Sequence, residues 1–395
     1  MANVLFVGID IAPFHLAFDA DTLAPLPDGS DYHGALTSAV YALALSADES
    51  LQAVTQYDTA LKVYNTSDWS PVTITSGIPG GSGYACAFNP AGTQLAVGNS
   101  LAPCLTVFNI SDWSKLTITG GVPTARAYGA AYNPAGTLLA AAVDATPYLI
   151  VYNTADWSKV TLTGGNPAGS AKACAFNPAG TLLAVGHGTS PYLTVYNTAD
   201  WSKVTLTGGN PAGTVNSCKF SPDGSKLAVG HANSPYLTVY NTADWSKVTL
   251  TGGNPIGQVY GVSWSSDGAR LATAHYDDPV ITTYNTSTWA KIALTGADPF
   301  ELYAIGKACV FTSTMAAKHI KATGAAAVLD DLGAAAVRTV RVYHRATGAL
   351  IGETTTDVAG QFDMGMLLDG EKQVVYLDDV AGTLYNDLIH RVLPG

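Results

Sequence analysis

Charge is scarce in this chain. Only 12% of its 395 residues are Asp, Glu, Lys or Arg, and the acids outnumber the bases to a formal net charge of −11. Lysine and arginine form no cluster, so the basic stripe that a nucleic-acid groove needs is missing. No apolar run approaches the ~20 residues of a membrane-spanning helix, so insertion by that route is not expected. Met1 to Gly8 lacks the charged start and cleavage site of an export signal and reads as a strand. A protein made in a cytoplasm and not exported by the usual path is the expectation. Motifs of turnover chemistry are also missing: there is no Gly-x-Ser-x-Gly elbow, no phosphate loop and no His-Glu-x-x-His.

What the chain does have is tryptophan at a fixed interval of 44 residues: Trp69, Trp113, Trp157, Trp201, Trp245 and Trp289, with Trp264 alone outside the series. A period of this length means one supersecondary unit copied many times. The unit that starts at Lys172 holds four short apolar runs, 173–176, 182–186, 193–196 and 204–207, separated by Gly, Pro, Asn and Ser. That is the signature of strands and tight turns. Four strands and their connections fill the period and leave no room for a helix, which describes a four-stranded antiparallel meander, the blade of a β-propeller.

The blade resembles the WD40 class. Phe220 to His231 (Phe-Ser-Pro-Asp-Gly-Ser-Lys-Leu-Ala-Val-Gly-His) reads like that family's first turn and second strand. Tyr240-Asn241 stands where the family carries Trp-Asp, and the Asp-Trp pair comes four residues later. The resemblance therefore implies WD40-like geometry without the family's hydrogen-bonded Asp–His–Ser network. Val4 to Asp19 aligns with Leu182 to Asn197, so the N-terminus supplies a blade that lacks its first strand. Lys307 to Phe311 matches Lys172 to Phe176 and supplies it. Six complete units, beginning near Tyr41, Tyr84, Tyr128, Lys172, Asn216 and Tyr260, lie between. Six plus one shared blade predicts a seven-bladed ring over residues 1–311, sealed by strands from both ends, so that no sheet edge is left open.

Cys86, Cys174, Cys218 and Cys309 occupy one equivalent position in strand one. Neighbouring sheets pack about 10 Å apart and a disulfide needs Cα atoms within about 7 Å, so these read as small buried hydrophobes. Cys104 replaces a repeat tyrosine and reads the same way. His187, His231 and His275 recur at the blade period, yet a shared metal needs ring nitrogens at about 2.0–2.1 Å while equivalent points on stacked blades lie about 10 Å apart. The expected role is a strand-end imidazole bonded to a loop, and no metal, cofactor or catalytic residue is expected. The Asp-Trp repeat reads as packing: each indole would bury area against the next blade, and Leu23 fills the slot in the N-terminal blade. Candidate partner-binding positions are the loop histidines His187, His231 and His275, together with departures from the repeat at Arg126, Tyr128, Tyr276, Asp277 and Asp278.

After Phe311 the period is lost. A linker is expected at 312–323, and 324–395 is similar to the carboxypeptidase-regulatory or transthyretin-like β-sandwich. Its thread is Val340 to Tyr343, a Thr347-Gly348 hairpin and the turn Asp357 to Gly360 before Phe362. The terminal Tyr385-Asn386-Asp387-Leu388-Ile389 and Arg391-Val392-Leu393-Pro394 resemble the ends of tailed-bacteriophage structural proteins. The expectation is therefore an all-β, non-enzymatic virion component, tail-associated and present in several copies. Its ring would be a rigid platform for other virion proteins, with a host-surface glycan or receptor as a further partner. The alternatives are a glycan-binding propeller adhesin and a cellular WD40-type interaction scaffold.

Overall fold

The computed structural model describes residues 36–276 apart from 68, residues 280–293, and strands at 4–9, 15–19, 306–312, 319–322, 339–344, 350–355, 362–365 and 373–378. The chain divides into two compact units, Asn3–Ser313 and Thr314–Gly395 with Met1–Ala2. Every regular element among the described residues is a β-strand.

In the first unit, β1 (Val4–Ile9) and β2 (His15–Asp19) are followed by a series of antiparallel meanders. The first comprises β3 (Val40–Leu45), β4 (Leu51–Gln56) and β5 (Lys62–Asn65), and the second β6 (Gly83–Phe88), β7 (Gln94–Asn99) and β8 (Leu105–Asn109). Then come β9 (Ala127–Tyr132), β10 (Leu138–Val143) and β11 (Leu149–Asn153), and β12 (Ala171–Phe176), β13 (Leu182–His187) and β14 (Leu193–Asn197). The last are β15 (Val215–Phe220), β16 (Lys226–His231) and β17 (Leu237–Asn241), and β18 (Val259–Trp264), β19 (Arg270–His275), β20 (Ile281–Asn285) and β21 (Lys291–Ile292). Strand β22 (Gly306–Thr312) pairs with β1, so the two ends of the unit share one sheet with Val7 opposite Cys309.

The first strands of the sheets pack in series, β3, β6, β9, β12, β15 and β18, and β22 lies beside both β18 and β3. Second strands such as β13 (Leu-Leu-Ala-Val-Gly-His) are buried along nearly their whole length. A strand covered on both faces has no polar side to show, which explains its continuous apolar run. Glycine matters at two places. Gly180 takes φ +70° to close the turn after β12, with its N–H bonded to the Asn177 carbonyl at 2.9 Å. Gly186 lies so close to β15 that a Cβ there would fall on the Val215 side chain.

Two expectations are corrected. The fourth run is a strand only in the last meander; in five others it makes a single bridge, such as Tyr196 to Lys203. The chain then leaves its own sheet because its polar groups bond the following unit: Thr207 Oγ1 donates to the Asp244 carbonyl, and Gly208 N–H to the Trp245 carbonyl at 2.9 Å. The tryptophans pack backwards, not forwards. Trp201 shares a core with Leu149, Val151, Val160 and Leu162 of the preceding unit, and Trp245 with Val204 and Leu206. Trp113, Trp157, Trp201 and Trp245 are 8–9% exposed, whereas Trp69 and Trp289 are half-buried. All six adopt φ of 57–59°, a left-handed conformation imposed by a turn in which the Trp N–H bonds the carbonyl four residues back, as Trp201 does to Asn197 at 2.7 Å.

The second unit pairs β23 (His319–Ala322) with β26 (Phe362–Gly365), and places β24 (Thr339–His344) between β25 (Leu350–Thr355) and β27 (Gln373–Asp378). Residues 319–322 of the expected linker are thus a strand. The turns at 347–348 and 357–360 and the terminal 385–394 motifs lie outside the described residues.

Candidate binding face

A meander places the connection between its second and third strands at the same end as the entry to its first. The first strands converge on a shared channel of about 160 Å³. One register position, the second residue of each first strand, lines it in turn: Tyr41, Tyr84, Tyr128, Lys172, Asn216 and Tyr260. The arc is aromatic on one side. Tyr41 and Tyr84 have ring centroids 5.2 Å apart, Tyr84 and Tyr128 4.9 Å, and Tyr57 reaches Tyr41 at 6.4 Å. Offset and edge contacts at these separations are the favourable arrangements for aromatic pairs.

The aromatic arc ends on a cation. Lys172 Nζ stands 3.7 Å from the centre of the Tyr128 ring and 3.6 Å from Asp144 Oδ1. The Ser170 hydroxyl, 2.6 Å from Asp144, is the main cause of that carboxyl's pKa lying below the usual range, with Lys172 assisting. Arg126, exposed at the rim, donates to the Tyr128 hydroxyl at 3.5 Å. Deeper in the channel Lys219 is exposed, and its charge is felt at Cys86, Cys174 and Cys218 on three different sheets. Cys174 and Cys218 are buried thiols pushed up to about 12 by desolvation. Each reaches back to a carbonyl of the preceding sheet, Cys174 Sγ to Ala140 at 3.6 Å and Cys218 Sγ to Ala184 at 3.8 Å. Cys86, Cys104, Cys174 and Cys218 are free thiols, and the side chain of Cys309 lies outside the described residues.

The same end of the unit carries all five exposed large hydrophobic residues among those described. Tyr57, Leu101 and Tyr276 sit between second and third strands, and Ile78 and Ile256 in the approaches to first strands; they are 44–59% exposed. The opposite end carries small polar turns such as 177–180 and 197–200.

The residues singled out in the sequence fall into three groups. Arg126, Tyr128 and Tyr276 lie on this face. Asp277 and Asp278 are outside the described residues. His187, His231 and His275 are fully buried, so their rings present nothing to a partner. His231 Nδ1–H donates to the Asn233 carbonyl at 2.8 Å, which leaves Nε2 to accept from the Thr238 hydroxyl at 3.0 Å. His187 and His275 meet Thr194 and Thr282 in the same way, at 3.0 and 2.8 Å. Burial is the main cause of the low pKa of His231, at about 4, and it pushes His187 down too. Sequence reasoning missed Tyr41, Tyr84, Lys172 and Lys219 as site residues. The register shared by Tyr41, Tyr84 and Lys172 was visible as the start of each unit, but nothing marked it, or Lys219 three residues beyond it, as facing a channel.

Among the described residues no three His, Cys, Asp or Glu side chains are grouped to hold a metal ion, and no helix is long and apolar enough to cross a membrane. The described part of the first unit is an all-β repeat structure whose exposed large hydrophobic residues lie at one end. The model of the WD domain, G-beta repeat, matches residues 201–234, a stretch from the Trp201 loop through β15 and β16. No curated protein matches the chain.

Proposed function

We propose that the first unit is a closed seven-bladed, WD40-like propeller that works as a scaffold for protein–protein interaction through its channel face. The seventh blade would be the sheet of β2, β1 and β22; its place beside both β18 and β3 supports closure. The observation that carries the function is the segregation of exposed apolar side chains to one end. Scattered apolar residues need no explanation, but a set gathered at one end of the unit marks a contact surface. A photo-crosslinking residue placed at Leu101 or Tyr276 should trap a partner in cells that express the protein, whereas one at Ala179 or Thr198 should not. Adducts from the opposite end alone would overturn the reading.

The second unit, read as a transthyretin-like sandwich, would be the docking or display module. The 385–394 motifs support a particle-borne version of the same scaffold: a tailed-phage virion component, in several copies, whose platform meets other virion proteins or a host-surface receptor. Mass spectrometry of purified particles tests this, and absence of the chain would remove the placement without touching the scaffold reading. A lectin is the weaker alternative. Four of the repeat tryptophans are packed inside and offer no repeated sugar platform, so a glycan array is expected to stay blank.

A further inference from the structure

We propose that the channel mouth takes a carboxylate of an acidic, apolar-flanked peptide segment; this deepens the scaffold reading and rests on it. The channel is chemically two-sided. Tyr41, Tyr84 and Tyr128 form one wall, while Lys172, Asn216 and Tyr260 complete the ring and Lys219 stands three residues further along β15, with Arg126 at the rim. In a chain of net charge −11, two cations line this channel and a third stands at its rim, and among the described residues Asp144 is the one carboxylate ion-paired with any of them. Asp144 pairs with Lys172 and is also felt at Arg126, and one carboxylate against three cations leaves the site net positive.

Size and surroundings narrow the guest. A space of about 160 Å³ is comparable to cavities that hold one small organic group, which suits one acidic side chain. Phenol hydroxyls and ammonium groups are donors to a carboxylate, and a charge-assisted bond inside a narrow channel is stronger than one on an open surface. Tyr57 stands beside Tyr41, and the same end carries Ile78 and Leu101, so the residues flanking the acid would be apolar. A free sugar acid would leave that rim uncovered; a peptide would not.

The test is selection of random twelve-residue peptides on the purified full chain, followed by affinity measurement of the winners against wild type, Lys219→Gln, Arg126→Gln and Tyr84→Ala. Winners are expected to carry Asp or Glu between apolar residues. They should lose at least tenfold when that acid becomes Asn or Gln, and lose similarly on Lys219→Gln with the melting temperature unchanged. Neutral or basic winners that need Tyr84 but ignore Lys219 would overturn the carboxylate assignment and keep the interaction face. Winners indifferent to all three substitutions, or no winners, would overturn both. Displacement of the peptides by polyglucuronate at lower concentration than by polyglutamate would move the acid from peptide to glycan and overturn the proposal.

Discussion

At the scale of single residues, buried polar groups decide how this protein responds to acid. His231 is held neutral in the folded state at a pKa of about 4, against about 6.5 in an unfolded chain. A depressed base contributes stability above its unfolded pKa and loses it as pH falls toward the folded one. Unfolding free energy should therefore drop between about pH 6.5 and pH 4, by up to about 3 kcal/mol from this residue, before the aspartate turn caps titrate. Denaturant titrations across that range should show the slope, and His231→Gln should flatten it; an unchanged slope would contradict the neutral assignment. A second residue-scale test uses the tyrosine hydroxyls that cross between units. Tyr240 donates to the Gly209 carbonyl at 2.8 Å, and Tyr152, Tyr196 and Tyr284 do the same elsewhere, but Phe108 fills the slot without a hydroxyl. Tyr240→Phe should cost about 1–2 kcal/mol and Phe108→Tyr should gain up to about 1 kcal/mol, both measurable by denaturant midpoint. None of these partners could be read from the chain, because a hydrogen bond to a main-chain carbonyl 31 residues away leaves no residue-type signature.

At the scale of elements, the repeat was largely legible. Turn residues and β-branched runs placed strands one to three of each unit, because local turn chemistry and burial agree there. The fourth run was over-read as a strand. Val204 and Leu206 alternate as a strand would, yet the atoms that end the pairing belong to the next unit's Asp244 and Trp245. The direction of tryptophan packing was misread for the same reason: it is a relation between copies. The interfaces between copies also press second-strand residues against the next unit's first strand, as Gly98 against Ala127. Gly186 faces Val215 and Gly230 faces Val259, whereas Ala142 stands at the matching place where the next unit has Ala171. Gly186→Ala should destabilise by about 1–3 kcal/mol through overpacking, and the double mutant with Val215→Ala should lose less than the sum of the two single changes. Additive losses in the double mutant would mean that the two side chains do not compete for the same space. Trp201→Ala should cost about 3–5 kcal/mol, as a buried aromatic does, and Trp201→Leu clearly less.

At the scale of the whole molecule, near-identity of the copies hid the site. Units around 172–255 are close to verbatim, and they bring Lys172 and Lys219 to the channel; the exposed apolar residues lie outside them. A reading tuned to the repeat treats those departures as drift, yet Tyr57, Ile78, Leu101, Ile256 and Tyr276 all drift to one end. The sharing of one sheet by the two ends was legible, because Lys307 to Phe311 carries the pattern of a first strand that the N-terminus lacks. Closure into seven blades is the premise on which the channel, its two-sided wall and the docking face all depend. A density map of the purified full-length chain, viewed along the channel, tests it most directly. Seven sheets around the axis, with residues 4–9 hydrogen-bonded to 306–312, is the expected result. Six or eight sheets, or those two segments lying apart, would contradict it.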